Sequence, residues 1–418
     1  MYKILLGILT KIFIFIGEIW ETHYIMKKTT FLLLALLMFA SCVEEFKVPN
    51  TITQKYESEI VIQGRILAGE ESVVYVSYTT AFGEENISPT VRNAQVTIIG
   101  ENGYKSETAE YEPLNACYII DTKEIATDVR YAIEVKLDGE TYQSEYLEII
   151  DSPDIDEITY QEHEDGISIH VTTLAKEEDS RHYMWSYEED WEFHAEVNIL
   201  MTPNNIAIYD KIKYPLIVEP QINPYYYCWM QATSRNVNLY STEVLNENSV
   251  KEVKLIEIPA EDIRISYIYS ILVKQWSISE AAYNYFKTLK LYTEDSGGLF
   301  TPMPTEILGN ISCISSPNKK ARGYVLASNV KTKRLFIYSA DFKKTRPLYE
   351  NCMVTTTHMS RYWKEEWPQR IEDFGYVALT NSGKIDVNTL LYSPECVNCQ
   401  RVKGSTKKRP DFWPNNHE

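Results

Sequence analysis

No stretch of this chain offers the roughly 20 uninterrupted apolar residues that a membrane-spanning helix requires. The run from Ile4 to Ile19 is broken by Lys11, Gly17 and Glu18, and the run from Phe31 to Ala40 covers about half a span. Positive charge is also in deficit, with 41 Lys and Arg against 59 Asp and Glu and a net charge of −18. Phosphate backbones would be repelled, so nucleic acid is excluded as a partner. There is no internal repeat and no low-complexity segment. Nor is there a nucleophile elbow, a paired His-x-x-x-His, a phosphate-cradling glycine loop or a calcium loop. Catalytic residues, cofactors and resident metals are therefore all expected to be absent.

What the N-terminus does contain has the parts of a secretory signal. Met26-Lys27-Lys28 supplies the basic stretch, Phe31 to Ala40 the apolar core, and Ala40-Ser41 the small residues before a cut. Cys42 follows directly, and its thiol is the atom that a lipoprotein lipidates. Residues 1–41 are expected to be removed, with Met26 the true start. They hold Lys3, Lys11, Lys27 and Lys28 against Glu18 and Glu21, so their loss takes the charge from −18 to about −20. Residues 42–58 are polar and unpatterned and read as a lipidated tether. The implied address is the cell envelope, with the membrane as a partner through the lipid.

Beyond Cys42, six of the seven cysteines remain: Cys117, Cys228, Cys313, Cys352, Cys396 and Cys399. An even count in an exported chain permits disulfides, but six cysteines allow 15 complete pairings. Cys396-Val397-Asn398-Cys399 is the sharpest local feature. It could be a redox pair, part of a disulfide framework, or half of a zinc site completed by Cys352 and His358. An oxidising compartment favours disulfides, with Cys352 bonded to one of the pair or elsewhere.

The rest of the chain reads as strand. Ile60–Ile66, Val73–Tyr78, Ala94–Ile99, Cys117–Ile120 and Tyr131–Val135 are short and rich in β-branched and aromatic residues. Asp138-Gly139, followed by Thr141 to Tyr146, predicts a hairpin. About seven strands in some 90 residues predict an immunoglobulin-like or fibronectin-like β-sandwich over 59–151, with a boundary at Ser152-Pro153. Residues 152–418 are expected to form a larger, mostly-β domain with strands at 167–172, 183–195, 236–242, 250–258, 265–275, 322–329 and 333–341. One helix interrupts them over 277–292. Ser277 and Glu280 have capping-box spacing, Ile278, Ala282, Tyr285, Phe286 and Leu289 form one apolar stripe, and Gly297-Gly298 is the stop.

His163, His170, His182 and His194 are spaced by 7, 12 and 12 residues, match no compact ligand motif and read as scattered surface histidines. Glu188-Glu189-Asp190 and Glu365-Glu366 read as solvated faces rather than glycosidase carboxylates. The dense Tyr225-Tyr226-Tyr227-Cys228-Trp229 suits sugar stacking or an interface, although strand packing accounts for most such aromatics.

Taken together, these pieces resemble the Bacteroidota lipoprotein family known as domain of unknown function 4249. They are Cys42 with its acidic tether, Ile60 to Ile66 with Gly64, Trp185 to Phe193, Tyr225 to Trp229, and Ser279 to Tyr285. Gly297 to Phe300, Pro304, Gly309-Asn310-Ile311 and Gly323-Tyr324 follow. The last is Cys396-x-x-Cys399 with Gly404-Ser405-Thr406 and Pro410-Asp411-Phe412-Trp413. The resemblance implies an outer-membrane lipoprotein, often encoded beside TonB-dependent transporters, with no catalytic residues to carry over. The expected role is accessory ligand or partner binding with a TonB-dependent barrel. An envelope glycan hydrolase and a structural or adhesive surface module are the rival readings.

Overall fold

The computed structural model describes residues 58–80, 89–196, 199–201, 221–234, 238–294, 307–341, 354–356, 376–378, 390–392, 396 and 398–414. Seven strands fill the first 90 or so of these: β1 Ile60–Ala68, β2 Glu71–Tyr78, β3 Gln95–Gly100, β4 Glu110–Glu112, β5 Cys117–Asp121, β6 Tyr131–Leu137 and β7 Glu140–Ser144. Period-two alternation explains them. In β2, Val74 and Val76 are fully buried while Glu71 and Tyr75 face out. The expected hairpin joins β6 to β7, with Leu137 opposite Glu140. Both turn residues have positive φ, 51° at Asp138 and 81° at Gly139, which is what a two-residue type I′ turn demands.

The strands form two sheets around one core. One sheet runs β1–β2–β5–β4, and the other carries β7–β6–β3. Ile62, Ile66, Val74 and Val76 from the first meet Val96, Ile98, Ile133 and Val135 from the second. The mainly-β class expected from sequence is therefore borne out, and this two-sheet body is consistent with the sandwich expected for it.

A second core lies between two further sheets. β8 Glu157–His163 and β9 Gly166–Leu174 pair with Ser249–Pro259. β10 His182–His194 lies at the centre of the other sheet, between Ile268–Ser277 on one edge and Tyr227–Thr233 with Asn238–Ser241 on the other. Lys331–Tyr338 pairs with Ile268–Ser277. The odd-numbered face of β10 (Tyr183, Trp185, Tyr187, Trp191, Phe193) packs on Ile167, Ile169 and Val171 of β9. Five short strands, Ile199–Met201, Gln221–Ile222, Val354–Thr356, Tyr376–Ala378 and Leu390–Tyr392, form one more sheet.

The chain changes core at Ser152, where a boundary was expected, but it later returns. Val325–Asn329 pairs in parallel with β1, and Ile311–Cys313 pairs with β7, so Cys313, Val325 and Ala327 belong to the first core. Residues 58–418 form one compact unit in consequence. Ser152 itself is 1% exposed, its Oγ accepting from Ser277 N at 2.6 Å and its N donating to Asn329 Oδ1 at 2.7 Å.

Helix α1 spans Glu280–Glu294. Its start differs from the expected one. Ser277 still belongs to a strand, paired with Tyr183, and the capping side chain is Ser279, whose Oγ accepts from Ala282 N at 3.2 Å. The sheet pairing holds Ser277 extended, so the spacing to Glu280 never becomes a capping box. The apolar stripe is as expected: Ile278, Ala282 and Tyr285 are buried and Phe286 and Leu289 partly so, against Leu67, Met184, Trp276, Tyr324 and Leu326. Helix α1 thus seals the seam where the two cores meet. Gly297-Gly298 lies outside the described residues.

Candidate functional site

The seam is not completely filled. A cleft of about 300 Å³ opens beside α1, lined by Arg65, Tyr75, Ser186, Trp276, Phe286 and Tyr324 among others. Its construction follows from strand alternation. With Ile62, Gly64 and Ile66 turned into the first core, Gln63 and Arg65 must face the other way. Gln63 sits opposite Tyr75 and Arg65 opposite Val73 on the same outer face. From the second core, β10 contributes Met184 and Ser186, and the next strand contributes Trp276.

Arg65 lies over the Trp276 ring, with its guanidinium carbon 5.2 Å from the ring centroid. No carboxylate pairs with it among the described residues. Four other half-buried arginines contrast sharply: Arg181 holds Glu177, Arg264 holds Glu189 and Asp262, Arg322 holds Glu59, and Arg334 holds Asp190. The indole Nε1 of Trp276 is also buried without an acceptor among the described residues. Sequence reading missed Arg65 and Trp276. Alternation shows that Arg65 faces outward, but not that an indole from a distant strand lies beneath it.

Of the β10 acids expected to be solvated, the Glu188 side chain is 42% exposed and pairs with Lys274 at 2.9 Å, but Glu189 and Asp190 are buried. Glu189 accepts from Tyr269 Oη at 2.8 Å and from Arg264 at 2.7 Å. Asp190 pairs with Arg334 at 3.0 Å, yet burial still pushes its carboxyl above the ordinary value. Glu192 is 0% exposed and contacts His194 Nε2 at 2.8 Å and Trp413 Nε1 at 2.7 Å. Each acid is occupied by a structural partner. Glu365-Glu366 lies outside the described residues.

The histidines divide: His163 is exposed and His170 half-buried, as expected of surface groups, but the other two are not. His182 and His194 are buried, and burial lowers the pKa of His182 against the pull of Glu243 and Glu280. Buried Ser168 brings His163 and His170 together, its Oγ 2.6 and 2.8 Å from their Nε2 atoms. Among the described residues no group of three or more His, Cys, Asp or Glu side chains could hold a metal.

The cysteine motif fastens the C-terminal segment. Cys399 is bonded to Cys228 in the aromatic tract, not to its neighbour in the motif, and Cys396 is also disulfide-bonded. Cys117 and Cys313 are free and buried. Cys42, Cys352 and His358 lie outside the described residues. Past the bridge, Gly404 turns the chain at φ +90°, and Thr406 exchanges both backbone hydrogen bonds with Trp229 at 2.8 and 2.9 Å. Trp413 then buries itself against Trp229 and Ile268. The tract from Tyr225 to Trp229 is used in this packing. Tyr226 and Tyr227 lie against His194, Trp229 is buried, and Lys407 covers the ring of the more exposed Tyr225.

Residues 44–334 match the family described as Domain of unknown function (DUF4249). The chain belongs to that family. The matched region holds the first core, most of the second, helix α1 and the cleft, and stops before Ile337 and the Cys396-x-x-Cys399 segment. No curated protein matches the sequence. Within this DUF4249 chain, Gly309 and Gly323 of the resemblance have a physical role. A Cβ on Gly309 would lie 1.6 Å from Gly323 O, and one on Gly323 would lie 1.9 Å from Ile62 O. These two close approaches let the returning segment dock on β1.

Proposed function

We propose that this DUF4249 protein is an accessory binding lipoprotein, tethered by lipid on Cys42 to the outer membrane and serving a TonB-dependent barrel. The observation that carries the binding part is the cleft at the seam, where both cores and α1 converge on a half-buried arginine with no carboxylate partner among the described residues. A charge left without a partner inside a protein is costly unless something supplies one. In a chain this acidic, a carboxylate partner would be easy to provide. The signal-like segment ending at Cys42 and the polar stretch to Ser58 support the tether. Anchoring confines the protein to two dimensions and raises its effective concentration near membrane partners.

Two measurements test this. Metabolic labelling with an alkyne-tagged fatty acid should mark the full-length chain and not Cys42→Ser. Affinity purification from detergent-solubilised outer membranes should recover a TonB-dependent barrel with the lipidated protein. Absence of that barrel across several detergents would remove the transport part of the proposal.

A further inference from the structure

We propose that the cleft binds a small organic carboxylate with an aromatic or flat apolar body, its anionic end held by Arg65 and its body against Tyr75 and Phe286. This rests on the cleft being the binding site and names what it takes. A volume of about 300 Å³ is at the lower end of the range for small-molecule sites, and suits one compact ligand rather than a chain segment. The apolar wall comes from Trp276, Phe286, Tyr324 and Tyr75.

Charge decides the other end of the ligand. Arg65 presents a planar fork of donors that matches a carboxylate in bidentate fashion. It has no carboxylate among the described residues, whereas Arg181, Arg264, Arg322 and Arg334 each have one. Its contact with the indole face orients the guanidinium without consuming its N–H groups. A cation-binding site would be built the other way, with carboxylates in the cleft, and none is among the lining residues.

The test uses the mature chain and calorimetric titration of indole-3-acetate, phenylacetate and hexanoate, each beside its neutral amide. The acids should bind more tightly than their amides. Arg65→Gln should weaken the acids about tenfold or more while leaving amide binding unchanged, and Arg65→Lys should restore part of the loss. Circular dichroism melts of both variants establish that they fold, which is expected because Arg65 holds no ion pair among the described residues. Acids and amides that bind equally, or an Arg65→Gln variant with unchanged affinity for the acids, overturn the carboxylate assignment and leave the cleft as a neutral site. Failure of every acid and every amide to bind overturns the cleft reading itself.

Discussion

The side chain of Asn310 substitutes for a strand at Val325: Nδ2 donates to Val325 O and Oδ1 accepts from Val325 N, both at 2.8 Å. Asn310 is 7% exposed and Val325 fully buried. The amide therefore satisfies two backbone groups that water cannot reach, at the point where the returning segment joins the first core. Asn310→Ala should cost about 2–4 kcal/mol, since each orphaned group costs about 1–3 kcal/mol. Asn310→Asp keeps the acceptor but sets a buried carboxylate against Val325 O, so it should cost at least as much as alanine. Urea unfolding of the mature chain measures both; an alanine variant within about 0.5 kcal/mol of the parent would show that the clip contributes nothing.

The C-terminal segment is fixed by a comparable contact in the second core. Trp413 packs edge-on against Phe336, with ring centroids 5.6 Å apart, and its Nε1 donates to the buried Glu192. Trp413→Phe retains the packing and removes the donor, so it should cost about 1–3 kcal/mol. Trp413→Ala also opens a cavity and should cost about 3–5 kcal/mol. Equal losses in the two variants would mean that packing contributes nothing beyond the hydrogen bond.

Covalent chemistry secures the same segment. The Cys228–Cys399 bond closes a loop across a sequence separation of 171, so replacing both residues by serine should cost about 2–5 kcal/mol. The denatured mature chain should show two thiols, from Cys117 and Cys313. Cys396 is also bonded, and if Cys42 carries lipid as proposed, the cysteine left to pair with it is Cys352. Peptide mapping without reductant should recover the linkages 228–399 and 352–396, and a 396–399 peptide would sink the arrangement.

Features set by neighbours in sequence were legible before the structure. Alternation and the Asp138-Gly139 turn located β1 to β3 and β5 to β7, though not the three-residue β4, and the spacing of Ile278, Ala282 and Tyr285 found the buried face of α1. What failed was whatever depends on distant partners. Glu189 and Asp190 read as solvated because nothing near them in sequence reveals Arg264 or Arg334. Ser277 read as a cap because its pairing with Tyr183 is a tertiary fact. The cleft was invisible for the same reason: Arg65 and Trp276 lie on strands of different sheets, and neither carries a motif.

Acid should loosen the returning segment through Glu140. Lys319 bonds to its carboxylate at 2.8 Å, and Ser315 and Ser316 donate to it at 2.5 and 2.7 Å. Those contacts, Lys319 foremost, hold its pKa at about 2 rather than the ordinary 4.5. A carboxyl whose folded pKa lies below its unfolded one stabilises fully above the unfolded value, and the contribution is lost as pH falls through the folded value. The window is therefore from about pH 4.5 down to about 2. Glu140→Gln removes the titrating group, so its stability should fall less steeply than the parent's across that window. Chemical denaturation at half-unit pH steps makes the comparison, with a neutral-pH measurement fixing the offset between the proteins. Parallel acid branches would mean that Glu140 does not hold the 315–319 loop against β7, and the segment's attachment would then rest on Asn310 and the strand pairings alone.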